Sequence, residues 1–377
     1  AVVVEQPVTV VAFPKGTVVR VAEASGGSAA AGTFVDRSNP GAPSSFTHGI
    51  NSVASIFSNP VVIGVAAAAG LALFLLIAFP AELLNSTISE QYPRFAKRVP
   101  RAPWLTRFTS WLEKTPIVGG LAITLVAAYI FGFADPGFGF DITSFRVVLA
   151  CFIALFIVGY LASVISGRII RRRWKLDTVM ELKPLGLILT VVGVVLSRLL
   201  DFSPGFLLGL ILGLSIVGST TAAQRAKTTL VQAGVVFVLA LAGWVAYSIL
   251  SATTNPDDFG TALLFDTLVA VTSEGLTAVF IGMLPVKFLD GPAVFEYSKP
   301  LWAASFLVAA FAFVVVIVPS AWGELNGSLG VWIAIVGAFA LVAVGIYLYF
   351  RFWAPPLPED AEETEQEPHS VTVGNPE

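Results

Sequence analysis

The chain is poor in the residues most enzymes use for chemistry. It has two histidines, His48 and His369, and one cysteine, Cys151. A lone cysteine excludes an intrachain disulfide, so cysteine usage reports no redox compartment. His48 precedes the first apolar run and His369 lies close to the last residue. No pair of membrane histidines is therefore left to bind zinc or to serve a serine nucleophile. There is no phosphate-cradling loop either. The expectation is of no catalytic residue, no metal and no cofactor. Charge is scarce too: Asp, Glu, Lys and Arg make up 12% of the 377 residues, against roughly 25% in a soluble domain. That balance excludes an ordinary soluble domain, and no nucleic-acid partner is expected.

What the chain has is apolar sequence, 56% of it, in runs long enough to cross a hydrocarbon core. The runs do not alternate, which argues against a β-barrel. The fold class expected is all-α, a polytopic transmembrane bundle of about nine spans. The runs are 60–84, 117–133, 145–166, 184–200, 206–222, 230–250, 261–291, 301–318 and 331–350. The fourth and fifth are short and form either two spans or one re-entrant hairpin. With an outer N-terminus, only Lys15, Arg20, Arg37, Arg146 and Arg198 of the 22 basic residues fall on the outer side. The bias meets the positive-inside rule. The protein is placed in the plasma (inner) membrane, with its N-terminal region extracytoplasmic and its C-terminus inside.

Three domains follow. Residues 1–59 read as an extracytoplasmic β-hairpin remnant (8–13 and 17–21 around Pro14-Lys15-Gly16) and a Gly/Ser/Ala/Pro-rich tether over 24–47. The start at Ala1 is read as a processed chain whose signal peptide lay upstream. Residues 60–352 are the transmembrane domain, and 353–377 a disordered acidic inner tail able to dock a protein partner. The basic inner loops suit anionic lipid, above all 94–114, where Trp104, Phe108 and Trp111 share the face of a helix that either lies in the membrane interface or packs on the bundle's own inner face. Gly205, Gly209 and Gly213 repeat at the spacing of a close-packing ridge.

Candidate functional residues concentrate in 261–291. Asp266 and Glu274 lie inside an apolar run, where a carboxylate needs a partner, a wet cavity or a proton. Eight residues apart, they sit about 80° around a helix and roughly 12 Å along it, a ladder that a proton- or ion-coupled transporter would use. The plainer reading has each held by nearby Ser, Thr or Arg as packing glue, with Thr272 and Ser273 to hand. At the end of the run, Gly282 permits close approach and Pro285 ends the helix. Lys287 reaches the headgroups, and Asp290 with Gly291 makes a capped turn. Arg198 and Asp201, three apart, are expected to pair at the outer membrane edge.

Several motifs resemble known families. Gly137 to Asp141 (GFGFD) resembles the GxGD of intramembrane aspartyl proteases, with a spacing one residue off and a loop setting. Residues 282–291, ending Leu289-Asp290-Gly291, resemble the NxxPxxxLDG element of site-2 (M50) intramembrane metalloproteases. That resemblance implies a zinc ligand at Asp290. HExxH is absent, however, and Gly282 stands where that element has Asn, so the implication is at most a degenerate, non-zinc relative. Phe280-Ile281-Gly282-Met283-Leu284-Pro285 is similar to the signature of the actinobacterial FGLLP motif-containing membrane proteins, with Ile281 and Met283 departing from it. Ser197 to Phe206 and Phe79 to Asn85 fit the same family. It implies a cell-envelope membrane protein, often behind an extracellular β domain, and no biochemical activity. The function expected is a non-enzymatic anchor or scaffold for an extracytoplasmic domain. The alternatives are a secondary transporter using Asp266 and Glu274, and the degenerate protease.

Overall fold

A computed structural model describes residues 36–58, 60–75, 80, 116–182, 184–199, 212–218, 220–286, 289–318, 337, 341 and 344–353. The chain divides into one unit at Ala1–Val35, outside the described residues, and a second at Asp36–Glu377, to which everything below refers. Helices α1 (Val53–Ser58), α2 (Pro60–Leu75) and α3 (Pro116–Gly132) come first. Next α4 (Ile142–Leu155) runs through a π-helical turn, Phe156–Leu161, into α5 (Ala162–Trp174). Strand β1 (Thr178–Leu182), α6 (Pro184–Leu199) and β2 (Leu212–Ile216) follow. The last elements are α7 (Ala222–Thr253), α8 (Phe259–Gly282), the short α9 (Gly291–Tyr297) and α10 (Lys299–Ile317). Among the described residues, four helical stretches are long and apolar enough to cross a membrane: Ile142–Trp174, Ala222–Thr253, Phe259–Gly282 and Lys299–Ile317.

Helix α8 is the axis of the bundle, packed by α7, α4 and α10, with 16 of its 24 residues buried. It starts sharply because the Asp258 carboxylate accepts from the amides of Gly260 and Thr261, at 2.7 and 3.1 Å. Such a cap satisfies donors that the first turn leaves unpaired. It stops before Pro285, which has no amide to donate and disfavours helical geometry in the residue before it. Small residues set its approach to α7. A Cβ added at Gly275 would fall 2.7 Å from that of Ala240. The Thr272 hydroxyl donates to Leu268 O at 2.7 Å and lies 3.4 Å from Ala240 O. This is the small-residue contact by which membrane helices gain dispersion energy without a hydrophobic drive. On the outer surfaces, Val118, Leu121, Leu125 and Val126 of α3 face away from the bundle, as lipid-facing side chains do.

The described residues depart from the sequence reading in three places. Residues 36–47, read as tether, are folded onto the bundle, and the compact unit begins at Asp36 instead of near residue 60. The part of the fifth run from Leu212 to Ile216 is a strand, antiparallel to β1 with Thr178 opposite Ile216 and Leu182 opposite Leu212. Gly213 therefore lies on a strand, not on a helical glycine ridge; Gly205 and Gly209 lie outside the described residues. The all-α class thus carries one small two-stranded sheet, and Lys175, left-handed at φ 56°, turns the chain out of α5 toward it. The third run is also longer than expected, a continuous stretch of 33 residues. The 8–21 hairpin, the basic segment 94–114 and the acidic tail lie outside the described residues, as does most of the run 331–350.

Two glycine-to-alanine substitutions separate packing from propensity. Gly234 has no heavy atom within 4 Å of its Cβ position, so Gly234→Ala is expected to stabilise α7 by up to about 1 kcal/mol. Gly275→Ala meets Ala240 and is expected to cost roughly 1–3 kcal/mol through overpacking. Thermal unfolding in detergent should therefore shift in opposite directions for the two variants.

Candidate functional site

Residues 36–53 form a strap across the end of the bundle where α4 and α8 begin and α7 and α10 finish. Its backbone carbonyls and hydroxyls meet a pair of opposite charges. Arg146, one turn into α4, is fully buried, and its Nε donates to Asp266 Oδ2 at 2.8 Å. The other two guanidinium nitrogens donate to the strap, Nη1 to Pro40 O at 2.5 Å and Nη2 to Ala42 O at 2.6 Å. Asp266 is equally buried. Its Oδ1 accepts from Ser44 Oγ at 2.9 Å and Thr47 Oγ1 at 2.7 Å. A buried ion pair is tolerable only when the remaining donors and lone pairs are also satisfied, and the strap satisfies them.

The rest of the strap is tied down on both sides of this pair. Asn51 donates from its amide to Val316 O at 2.9 Å, and from Nδ2 to Val315 O and Val318 O, both at 3.0 Å. Trp244 Nε1 donates to Asn51 O at 2.6 Å, and the amide of Val53 to Ser248 Oγ at 3.0 Å. At the rim, Arg37 pairs with Asp135 at 2.7 Å and Asp141 at 3.3 Å and donates to Ser144 Oγ at 3.1 Å. Burial pushes the Asp141 carboxyl up, but the amide and hydroxyl of Ser144, with Arg37, outweigh it and hold Asp141 below the usual carboxylate range. His48 stays exposed, edge-on to Phe265.

Glu274 is the opposite case. It is completely buried, and among the described residues neither carboxylate oxygen has a hydrogen-bond partner; nor do the hydroxyls of Ser273 and Thr277 beside it. The plainer sequence reading thus holds for Asp266, with partners from α4 and the strap, and fails for Glu274. Ser273, named as being to hand, makes no bond to it. Arg146, counted by sequence among the outer loop bases, is in fact a buried charge of the bundle. Sequence reasoning missed it because it lies only five residues beyond Asp141, the N-cap of α4, where a loop base and an inward-facing base look alike.

At the opposite end, Gly282 closes α8 and Met283 O accepts from Trp302 Nε1 at 2.7 Å. Gly291 is required by contact: a Cβ there would overlap the carbonyls of Met283 and Leu284. Asp290 occupies the N-cap position of α9, but its side chain makes no capping bond, contrary to the sequence expectation. Pro285 lies in the turn as expected, and Lys287 lies outside the described residues. Asp201, the partner expected for Arg198, is also outside them. At the strap rim, the Arg198 guanidinium donates to Phe133 O, Asp135 O and Pro136 O at 2.5, 3.0 and 3.3 Å, closing the end of α3. Among the described residues no group of His, Cys, Asp and Glu is placed to hold a metal ion. A cleft of ≈ 50 Å³ opens at the C-terminal end of α8, between the π-helical turn, α7 and Gly282, Met283 and Asp290.

No protein-family model, no curated protein and no solved structure matches the chain.

Two outcomes are expected. Arg146→Met or Asp266→Leu alone should cost about 3–5 kcal/mol, because each strands a buried charge, whereas the double variant should recover most of that loss. A double-mutant cycle on unfolding in detergent measures it. The rim adds a pH dependence. Because the folded value of Asp141 is depressed, its stabilisation is present above the unfolded carboxylate value of about 3.9 and lost as pH falls through the folded one. Melting temperature followed below pH 4 should thus fall less steeply in Asp141→Asn than in the unaltered protein.

Proposed function

We propose that this chain is a non-catalytic anchor of the cell envelope: a multi-span helical bundle, of about nine crossings, that holds an extracytoplasmic segment rigidly at its outer end. The observation that carries the reading is the strap, whose carbonyls and hydroxyls satisfy the buried Arg146–Asp266 pair. A flexible tether would leave that pair wet. Both oxygens of Asp266 are occupied, which favours a structural over a coupling role for this carboxylate.

The orientation proposed puts the strap outside. Arg171, Arg172 and Arg173 end α5, Arg225 and Lys227 begin α7, and Lys299 begins α10. All six belong to the end away from the strap, as the positive-inside rule asks of a cytoplasmic face. That face suits anionic lipid, and the acidic tail after it suits a protein partner. The similarity of residues 280–291 to the FGLLP signature supports the same envelope setting.

Hydrogen exchange in lipid nanodiscs tests the anchor. The amides of residues 46–53 are expected to be protected in the unaltered protein. In Arg146→Ala they should lose protection by roughly an order of magnitude or more, while α7 keeps its own. Equal, rapid exchange in both proteins would defeat the reading. So would a solute flux in proteoliposomes that Asp266→Asn abolishes.

A further inference from the structure

We infer that Glu274 is an intramembrane proton site: a neutral carboxylic acid that exchanges its proton with water admitted through the cleft at the end away from the strap. The geometry supplies each part. Among the described residues both Glu274 oxygens are buried without a partner, beside the hydroxyls of Ser273 and Thr277, which likewise have none. Among the described residues Glu274 forms no ion pair, and the buried guanidinium of Arg146 is committed to Asp266.

The groups facing it can be named element by element. From α4 come the buried Cys151 and Arg146, the latter committed to Asp266 two turns toward the strap. Helix α7 brings Tyr247 beside Phe265, at the strap end, and Arg225 and Lys227 at its first turns. Helix α10 carries only Lys299, at its start, and the π-helical turn only the half-exposed Tyr160.

The cleft provides the route. It is lined by Val158 and Gly159 of the π-helical turn, Gln232 and Val236 of α7, and Ala278 and Asp290. Ala278 lies one helical turn from Glu274 on neighbouring faces of α8. Val236 O lies 3.5 Å from the Cβ position of Gly275, the residue after Glu274. The Val236 wall of the cleft thus lies beside the turn of α8 that carries Glu274. Its ≈ 50 Å³ accommodates a few waters at roughly 10–15 Å³ each, with Gln232 and the Asp290 end as polar lining. A π-helical turn is a frequent companion of such sites, because it disturbs the regular backbone ladder. The step is a proton transfer only: a cleft water gives its proton to the Glu274 carboxylate as hydronium, and the acid returns it to water. Toward the strap the path is shut by the Arg146–Asp266 pair, so exchange occurs from one side without transmembrane flux.

Infrared difference spectroscopy of the protein in nanodiscs tests this. At neutral pH the unaltered protein should show the C=O stretch of a neutral acid, lost in Glu274→Gln and shifted in Glu274→Asp. Absence of any such difference, with Glu274 contributing as a carboxylate, overturns the proposal. Filling the cleft with Ala278→Leu should keep the band and slow its shift in heavy water several-fold; unchanged exchange overturns the route. Should Glu274→Gln not fold, dicyclohexylcarbodiimide on the unaltered protein serves instead, since it couples to protonated carboxyls in apolar surroundings. Mass spectrometry should find the adduct on Glu274, and an unmodified Glu274 overturns the proposal. An ionised Glu274 would leave strap protection untouched, so this inference and the anchor reading fail separately.

Discussion

The ion pair between Arg146 and Asp266 is the interaction on which this bundle's architecture turns. Neither charge can be removed alone without stranding the other in an apolar interior, a loss of about 3–5 kcal/mol. Removing both would cost little, so the pair adds little net stability. Its effect is to specify a partner. The guanidinium has two donor groups left after binding Asp266, and the carboxylate has lone pairs left after binding Nε. Pro40 O, Ala42 O, Ser44 and Thr47 fill those vacancies. Only a segment with carbonyls and hydroxyls at that spacing could close this end of the bundle. The strap follows from the pair, and its further ties at Asn51 and Arg37 follow from where the pair puts it.

Much of the helical content is legible in the sequence because membrane helices announce themselves by length and composition. The runs at 117–133, 184–200 and 301–318 differ from Pro116–Gly132, Pro184–Leu199 and Lys299–Ile317 by one or two residues. The segment 212–216 was not legible as a strand. Leu-Gly-Leu-Ser-Ile is as apolar as any helix turn, and what makes it a strand is β1, some 30 residues earlier. The strap was opaque for a related reason. Gly, Ser, Ala and Pro without periodicity read as linker, yet those residues leave backbone carbonyls uncovered and offer short hydroxyls, the groups a buried Arg–Asp pair requires.

The candidate site was half legible. Carboxylates at membrane depth stand out in a run of Leu, Val and Ala, so Asp266 and Glu274 are visible from sequence alone. Their opposite environments are not. Which acid finds a base depends on whether α4 presents Arg146 at the matching level, and two parallel helices set that level by packing. Counting bases per loop placed Arg146 outside because the rule treats any base near a helix end as solvated.

The two acids of α8 meet the same physical demand in different ways. An ionised carboxylate taken out of water without partners costs several kcal/mol even after relaxation. A neutral acid that merely lacks a hydrogen bond costs about 1–3. Near the strap end two hydroxyls and a guanidinium reach Asp266, and the charged pair is the better solution. Eight residues further on, no donor or cation among the described residues bonds Glu274, and by those two costs its neutral form is the cheaper state. The consequence is electrical: Asp266 is cancelled by Arg146, and Glu274 contributes no charge. With Glu274 neutral as inferred, helix α8 carries no uncompensated charge from Phe259 to Gly282. A membrane helix bearing two acids can be the most buried element of the bundle only under that condition.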